Sequence, residues 1–367
     1  MKVDLIDLKL RYIDEKEELL KILDKTLKKG NLVLTSELNE FENNICKFSN
    51  HKYCLGLNSG TDALMMSLWS LGIGKGDEVI TSPLSFVATI GAIIHVGAKP
   101  VFVDVNEDYN IDYKKIEKKI TNRTKAILPV HWSGRICNMS EIVKIANKFN
   151  IKIIEDAAQA VGSYYKGEHA GYYSEISAFS THPLKNLNAL GDGGFILTNK
   201  KKLYEKIKLF RNHGLKNRDD VRIFGLNSRL DVLNAEVLKL RLKKLKKVIK
   251  SRNFNVNLYR IFLKGNPYIK ICEDKKYEKN SYTLFLTQAH KRDQLQEYLS
   301  NYKIQTMVYY GKPLHLQPAS KKLGYKKGSL PVAERLCKNV LALPNHQYLK
   351  KKQIEFVVKK INHFYKI

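Results

Sequence analysis

The sequence has no long apolar stretches, no paired cysteines and no low-complexity segments. No run of about 18 apolar residues occurs in the 367-residue chain, so no membrane-spanning helix is predicted. Acidic residues stand near the N-terminus where a signal peptide would have its apolar stretch, so we expect a cytoplasmic protein. The five cysteines are scattered, with no CxxC pair and no histidine at zinc-ligand spacing. This pattern argues against a disulfide framework and a metal site.

Acidic residues are also scarce relative to basic ones. The chain has 64 Lys and Arg against 36 Asp and Glu, a formal net charge of +28. Such a charge can indicate binding to nucleic acid or to an anionic surface. The lysines, however, are spread along the whole chain, without a helix-turn-helix or an aromatic RNA-binding signature. We therefore interpret most of them as solvated helix faces, which would also concentrate a phosphate-bearing substrate.

Short apolar runs alternate with helical patterns in the first half of the chain. Predicted strands fall at 52–57, 77–82, 99–105, 126–131 and 151–156, and predicted helices at 61–72, 86–97, 113–120 and 139–150. This alternation predicts an α/β fold, with a parallel sheet covered by helices on both faces. Ligands of such sheets bind beyond the carboxyl ends of the strands.

The pattern changes after residue 200. A long basic amphipathic segment covers 227–264, a strand is predicted at 282–288, and helices are predicted at 293–301 and 355–367. We predict a large domain at 1–245 and a smaller C-terminal α+β domain at 246–367. Residues 1–25 have helical periodicity, but their pattern does not assign them a position.

The turn at residues 58–64 is a candidate phosphate site. It joins a strand to a helix start through small residues, and Gly60 and Thr61 would present free N–H groups to an anion. The alternative is an ordinary capped helix, with Ser59 or Thr61 as the N-cap.

Three further candidates follow other strands. Asp156 ends an apolar strand, where its carboxylate would pair with a cation or a protonated ring nitrogen, or would cap a helix; Gln159 lies on the same side. Lys185 lies between a strand and a glycine-rich turn, and a lysine held in such a cleft can form a Schiff base. Phe86 either packs in the hydrophobic core or stacks on the flat ring of a cofactor. Together, a phosphate site, an acid, a lysine and an aromatic ring describe one ligand, pyridoxal 5′-phosphate (PLP).

The sequence resembles the DegT/DnrJ/EryC1/StrS family of nucleotide-sugar aminotransferases, which are fold type I PLP enzymes. The resemblance covers nearly the whole chain in family order, at 56–68, 74–93, 97–105, 153–167, 180–199, 211–215, 225–242, 312–318 and 330–346. It implies a large domain with a mostly parallel seven-stranded sheet and a smaller C-terminal domain.

The resemblance also implies residue roles. Lys185 would hold PLP covalently, Asp156 would pair with the pyridine nitrogen, and Gln159 would lie near the ring hydroxyl. Phosphate would be bound by Gly60, Thr61 and Ser180, and Phe86 would lie against the ring face. Asn227 would contact the phosphate of the neighbouring subunit, which implies a homodimer with shared active sites.

The sequence departs from the family pattern at Thr181, usually aromatic, and at Trp132–Arg135, where the family usually has Leu-Tyr-Gly or similar. In the family these positions face the substrate, so the departures bear on the identity of the sugar. Segments 190–194 and 227–231 resemble the branch that acts on 3-keto sugars more than the 4-keto branch.

The leading hypothesis is a ping-pong transfer of an amino group from L-glutamate to a keto-sugar, which we expect to be linked to a nucleotide. Lys185, rather than the histidine found in sugar dehydratases of the family, argues for transamination. Tyr310 and His315 are weaker candidates for substrate contacts, the alternative for both being structural packing. A PLP-dependent dehydratase or lyase is the second hypothesis. A basic nucleic-acid-binding regulator is a remote third, although we expect neither nucleic acid nor a membrane as a partner.

Overall fold

Short apolar strands and amphipathic helices account for most of the chain. The computed structural model describes all residues, 1–367. The helices are α1 Leu8–Lys29, α2 Ser36–Ser49, α3 Gly60–Ser70, α4 Val87–His95, α5 Met139–Lys148, α6 Lys201–Phe210, α7 Val232–Phe262, α8 Arg292–Asn301, α9 Pro331–Asn339 and α10 Lys351–Tyr365. The strands are β1 Tyr53–Leu57, β2 Glu78–Thr81, β3 Lys99–Phe102, β4 Thr124–Leu128, β5 Lys152–Asp156, β6 Tyr164–Tyr165, β7 Glu168–His169, β8 Ile176–Ser180, β9 Gly194–Thr198, β10 Leu215–Asn217, β11 Asp220–Val221, β12 Ile269–Ile271, β13 Glu278–Lys279, β14 Phe285–Ala289 and β15 Val340–Leu343.

Seven strands form the central sheet, in the order β1-β9-β8-β5-β4-β2-β3. Strand β9 is antiparallel to both of its neighbours, and the other pairs are parallel. Neighbouring residues of one strand face opposite sides, so that Val79 joins one apolar cluster and Ile80 the other. The sheet is therefore buried on both faces, as its continuous apolar strands predicted.

A three-stranded antiparallel sheet, β12-β14-β15, is the centre of the smaller domain. Its core combines residues of this sheet with α8, α10 and the C-terminal half of α7. The N-terminus joins this domain, because Val3 pairs in parallel with Ile304. Helix α7 continues without interruption through residue 245, so the domain boundary at that residue stays a prediction.

The polar helix predicted at 113–120 is wrong. The structure has two short 3₁₀ turns there, Tyr113–Lys115 and Glu117–Lys119. Ile116 is the one fully buried apolar side chain of the segment. Tyr113 and Ile120 pack beside Ile116 against the core, so the segment has an apolar face, but a segment this short does not form a stable helix by itself.

No helix of the chain combines the length and the apolarity that crossing a bilayer would require. All five cysteines are unpaired, and Cys54, Cys137 and Cys337 are buried.

Candidate active site

A cavity of about 310 Å³ opens at the carboxyl ends of β1, β2, β4, β5 and β8. These strands run in the same direction, so the residues that follow them meet at one edge of the sheet. The smaller domain closes the opposite side. The predicted site residues in the cavity wall are Gly60, Thr61, Phe86, Asp156, Gln159, Ser180, Lys185 and Tyr310.

The N-terminus of α3 forms one end of the cavity. The side chain of Ser59 caps the helix by accepting the N–H of Asp62 at 3.0 Å, which identifies Ser59 as the N-cap. A Cβ atom on Gly60 would lie 2.8 Å from the Cβ of Ser180, so only glycine permits this close approach of α3 to the end of β8. The capped helix start and the Ser180 hydroxyl together provide a cradle for an anion, so the two interpretations of this turn are compatible.

Asp156 lies at the end of β5 and is 4% exposed. One carboxylate oxygen accepts the hydroxyl of Thr89 at 2.6 Å, and the other accepts the N–H of Ala158 at 3.2 Å. Burial raises the pKa of Asp156 above its usual value, and these two hydrogen bonds oppose that rise. No helix begins after Asp156, so the helix-cap alternative does not apply.

Lys185 lies in the loop between β8 and β9. Its N–H donates to the carbonyl of His182 at 2.8 Å, which closes a turn around the lysine. Its side chain is partly exposed because it faces the cavity. The low polarity of this position lowers the pKa of Lys185 from 10.5 to about 8, although the charge of Asp156 opposes the shift. A substantial fraction of the amine is therefore neutral, and nucleophilic, near physiological pH.

Gln159 is held from both sides. Its side-chain Oε1 accepts the N–H of Ser133 at 2.8 Å, and its carbonyl accepts the hydroxyl of Thr283 at 2.7 Å. Because Oε1 is the acceptor, Nε2 is left to donate to a ligand in the cavity.

Phe86 is 54% exposed and lies at the cavity wall, so it is not a core residue. Its ring centroid lies 6.2 Å from that of Tyr310, and Tyr310 in turn packs edge-on against the buried Trp132. The side chains of Phe86 and Tyr310 form an aromatic wall beside Lys185 and Asp156.

Two predicted residues do not line the cavity of their own chain. Asn227 is exposed and pairs with Asn212 outside the site. His315 is 1% exposed, lies 3.1 Å from Glu334, and packs against Phe102 and Tyr325. The structure thus brings neither side chain to the other site residues.

The expectation that the departures from the family pattern face the substrate is wrong for Thr181 and Arg135. Thr181 is completely buried. Arg135 forms ion pairs with Asp274 at 2.9 Å and with Glu278 at 2.6 Å. The side chain of Arg135 is 7% exposed and does not line the cavity.

His131 is a cavity residue that the sequence analysis did not single out. Its Nε2 lies 2.6 Å from Glu155, and its Nδ1 accepts the N–H of Cys137 at 3.3 Å. Nε2 therefore carries the proton and donates it to Glu155. Although burial raises the pKa of Glu155, the hydrogen bonds from His131 and from the N–H of Gly171 lower it below the usual value. In the sequence, only the position of His131 at the end of a predicted strand could have indicated that it lies in the cavity.

The site combines a reactive lysine amine, a buried carboxylate and an anion cradle at the carboxyl edge of a mostly parallel sheet. These features are typical of α/β enzymes that use a lysine as a nucleophile.

Comparison with known proteins identifies the family. Residues 13–362 match the model of the DegT/DnrJ/EryC1/StrS aminotransferase family. The chain belongs to this family, which confirms the expected fold class and the expected enzyme class, a sugar aminotransferase.

Individual relatives match along nearly their full length. The chain is 39% identical to the pleiotropic regulatory protein of Geobacillus stearothermophilus, over 100% of this chain and 99% of the relative. It is 37% identical to the dTDP-3-amino-3,6-dideoxy-α-D-galactopyranose transaminase of Aneurinibacillus thermoaerophilus, over 99% and 98%. Among solved structures, DesV of S. venezuelae in complex with a ketimine intermediate has a TM-score of 0.97 and 35% identity, over 99% of this chain and 98% of that one.

Proposed function

We propose that this protein transfers the amino group of L-glutamate to a nucleotide-linked keto-sugar, with PLP bound at Lys185. The observation that carries the proposal is the presence of Lys185 and Asp156 in one cavity with an anion cradle at its end. The names of relatives that act on nucleotide-linked amino sugars support the substrate class.

The residues present fit PLP. The cradle of Gly60, Thr61 and Ser180 suits its phosphate, because a side chain at Gly60 would fill that space. Asp156 has lone pairs left after its two hydrogen bonds, and these suit a protonated ring nitrogen. The free Nε2 of Gln159 suits the ring hydroxyl.

When bound, PLP supplies an aldehyde that forms imines with amines and a ring that accepts electrons. Lys185 supplies the amine that holds the aldehyde. With PLP bound, the neutral amine of Lys185 would be free, once glutamate had replaced it, to take the proton from the Cα of the donor and to deliver a proton to the carbon that receives the amino group. Asp156, as an anion, would keep the ring nitrogen protonated.

We infer that the acceptor is a 3-keto sugar. Segments 190–194 and 227–231 resemble that branch, and the Aneurinibacillus relative is named for a 3-amino sugar. The basic surface suits a diphosphate carrier. Tyr310, in the cavity wall, is the preferred candidate for a sugar contact, whereas the buried position of His315 gives that assignment less support.

We further propose a homodimer in which Asn227 reaches the cavity of a second copy. Asn227 is exposed and absent from the cavity of its own chain. Phe224, three residues earlier, is 99% exposed, as expected for a surface that a second copy covers. Location in the cytoplasm stays a prediction.

The absorption spectrum of the purified protein tests the first half of the reaction. We expect a visible band that fades on addition of L-glutamate and that is absent in Lys185→Ala. Formation of 2-oxoglutarate that continues beyond one equivalent only with a keto-sugar acceptor tests the second half. A protein that takes up no PLP would refute the proposal, and loss of sugar hydroxyl without amino transfer would favour the lyase.

Hybrid dimers test the shared site. Lys185→Ala and Asn227→Ala are expected to be impaired separately, and mixing them under subunit exchange should restore one complete site in each hybrid. No recovery in hybrids whose formation is verified by mass would contradict the shared arrangement.

A further inference from the structure

Two buried hydroxyl groups extend from the Asp156 carboxylate toward the start of α4. The Oγ1 atom of Thr89 lies 2.6 Å from Oδ2 of Asp156, and the Oγ atom of Ser85 lies 2.5 Å from Oγ1 of Thr89. All three side chains are almost completely buried, and all three line the cavity. Ser85 lies in the β2–α4 connection, Thr89 lies in the first turn of α4, and Asp156 ends β5, so only the tertiary structure brings the carboxylate to the two hydroxyl groups.

The proton positions in this chain follow from hydrogen-bond capacity. An ionised carboxylate only accepts, so the single hydroxyl proton of Thr89 points to Asp156. The Ser85–Thr89 contact must then be made by the proton of Ser85. Each hydroxyl polarises the next, and a hydrogen bond to a charged acceptor is stronger than one between neutral groups. The chain therefore stabilises the anionic form of Asp156.

Few other groups near Asp156 stabilise its ionised carboxylate. The second carboxylate oxygen has the N–H of Ala158, at the longer distance of 3.2 Å. The titratable groups that face Asp156 are Lys185, His131 and Tyr310. His131 uses both of its ring nitrogens elsewhere, and Lys185 acts on Asp156 through its charge, without a hydrogen bond between the two side chains. The hydroxyl chain is thus the principal fixed support of the carboxylate.

We propose that Thr89 and Ser85 are positioning residues that hold Asp156 ionised and correctly oriented for a protonated ring nitrogen. The inference rests on the proposed function, because the ring nitrogen belongs to PLP. It adds two residues that make the carboxylate able to serve this role in a buried site.

The test compares Thr89→Val, which removes the hydroxyl at nearly constant volume, with Thr89→Ser, which keeps it. Apoprotein is titrated with PLP from pH 6 to pH 8.5, and the apparent dissociation constant is measured. Loss of the hydroxyl favours protonated Asp156, and protonation increases as the pH falls. We therefore expect Thr89→Val to bind PLP about tenfold more weakly than Thr89→Ser at pH 6, with the difference below about threefold at pH 8.5.

An analogue with carbon in place of the ring nitrogen, 1-deaza-PLP, is the matched control. It makes no ring-nitrogen contact, so the difference between Thr89→Val and Thr89→Ser should fall below about twofold at every pH. A packing defect would weaken both cofactors equally and independently of pH, and that result would overturn the proposal. The ¹⁵N signal of labelled PLP gives a second readout. We expect a smaller fraction of the ring nitrogen to be protonated in Thr89→Val than in Thr89→Ser, because the less stabilised carboxylate takes up the proton instead.

Ser85→Ala keeps the test available if Thr89→Val unfolds. It leaves the Thr89–Asp156 contact in place, so we expect a smaller weakening in the same direction, about threefold at pH 6. No change in Ser85→Ala would contradict the role of the second hydroxyl.

The two proposals can be tested separately. A wild-type protein without a PLP absorption band refutes the proposed function. A wild-type protein with a normal band, together with Thr89 variants that bind PLP equally well, refutes only this inference.

Discussion

The lowered pKa of Lys185 leads to a specific prediction about its reactivity. A fall from 10.5 to about 8 raises the neutral fraction of the amine at about pH 7.5 from roughly 0.1% to about a quarter. Its intrinsic rate of acylation near neutral pH should therefore exceed that of a surface lysine by about two orders of magnitude, less any loss from restricted access.

Trace labelling measures this difference in one sample. Apoprotein receives brief pulses of acetic anhydride at a series of pH values, and mass spectrometry measures the acetylation of each lysine. We expect the labelling of Lys185 to rise with a midpoint near 8, while the surface lysines rise near their usual value of about 10.4. The surface lysines are the internal control for reagent decay.

Asp156→Asn provides the second part of this test. The charge of Asp156 favours the protonated lysine, so its removal should move the midpoint of Lys185 further down. A Lys185 midpoint that coincides with the surface lysines would refute the assignment of a desolvated amine. An upward shift in Asp156→Asn would refute the sign of the interaction between the two groups.

Three further substitutions test other parts of the site. Gly60→Ala would place a Cβ atom 2.8 Å from the Cβ of Ser180. We therefore expect this variant to bind PLP at least about tenfold more weakly in a fluorescence titration. The control is Gly191→Ala, which has open space around its Cβ atom and should bind PLP normally. Arg135→Ala leaves the buried carboxylate of Glu278 without its nearest partner and removes one of the two ion pairs of the partly exposed Asp274. We expect about 3 kcal/mol lower stability by urea denaturation, with an unchanged preference among keto-sugars. A changed preference would return Arg135 to the substrate side. Tyr310→Phe should raise KM for the sugar without altering the rate of the glutamate half-reaction in stopped-flow absorbance, and an equal effect on both would contradict a sugar contact.

The local pattern was sufficient for most strands of the large domain and for the residues at the strand ends, but it predicted neither α2 nor α6. Apolar runs bounded by turns predicted the strands of the central parallel sheet, because a strand buried on both faces needs continuous apolar sequence. The positions of Asp156 and Lys185 next to such runs predicted that both would meet at one edge of the sheet. The 113–120 segment shows the limit of periodicity, since its apolar residues have helical spacing and pack against the core without forming a regular α-helix.

The partners of these residues could not be predicted from the pattern. Thr89 and Asp156 are separated by 67 residues, and Arg135 and Glu278 by 143. Contacts between residues this far apart in the sequence depend on strand order and on the packing of one domain against the other. Neither of these leaves a periodic signal in the sequence. The position of Arg135 was wrongly predicted for this reason.

The sequence by itself thus determined the strands, the edge of the sheet where chemistry occurs, and the lysine and carboxylate placed there. Only the tertiary structure decided which side chains hold these groups, which nitrogen of His131 carries the proton, and that His315 is buried away from the cavity. The physical reason is that burial and backbone direction are local properties of an element. The protonation state and orientation of a side chain depend instead on neighbours that distant parts of the chain supply.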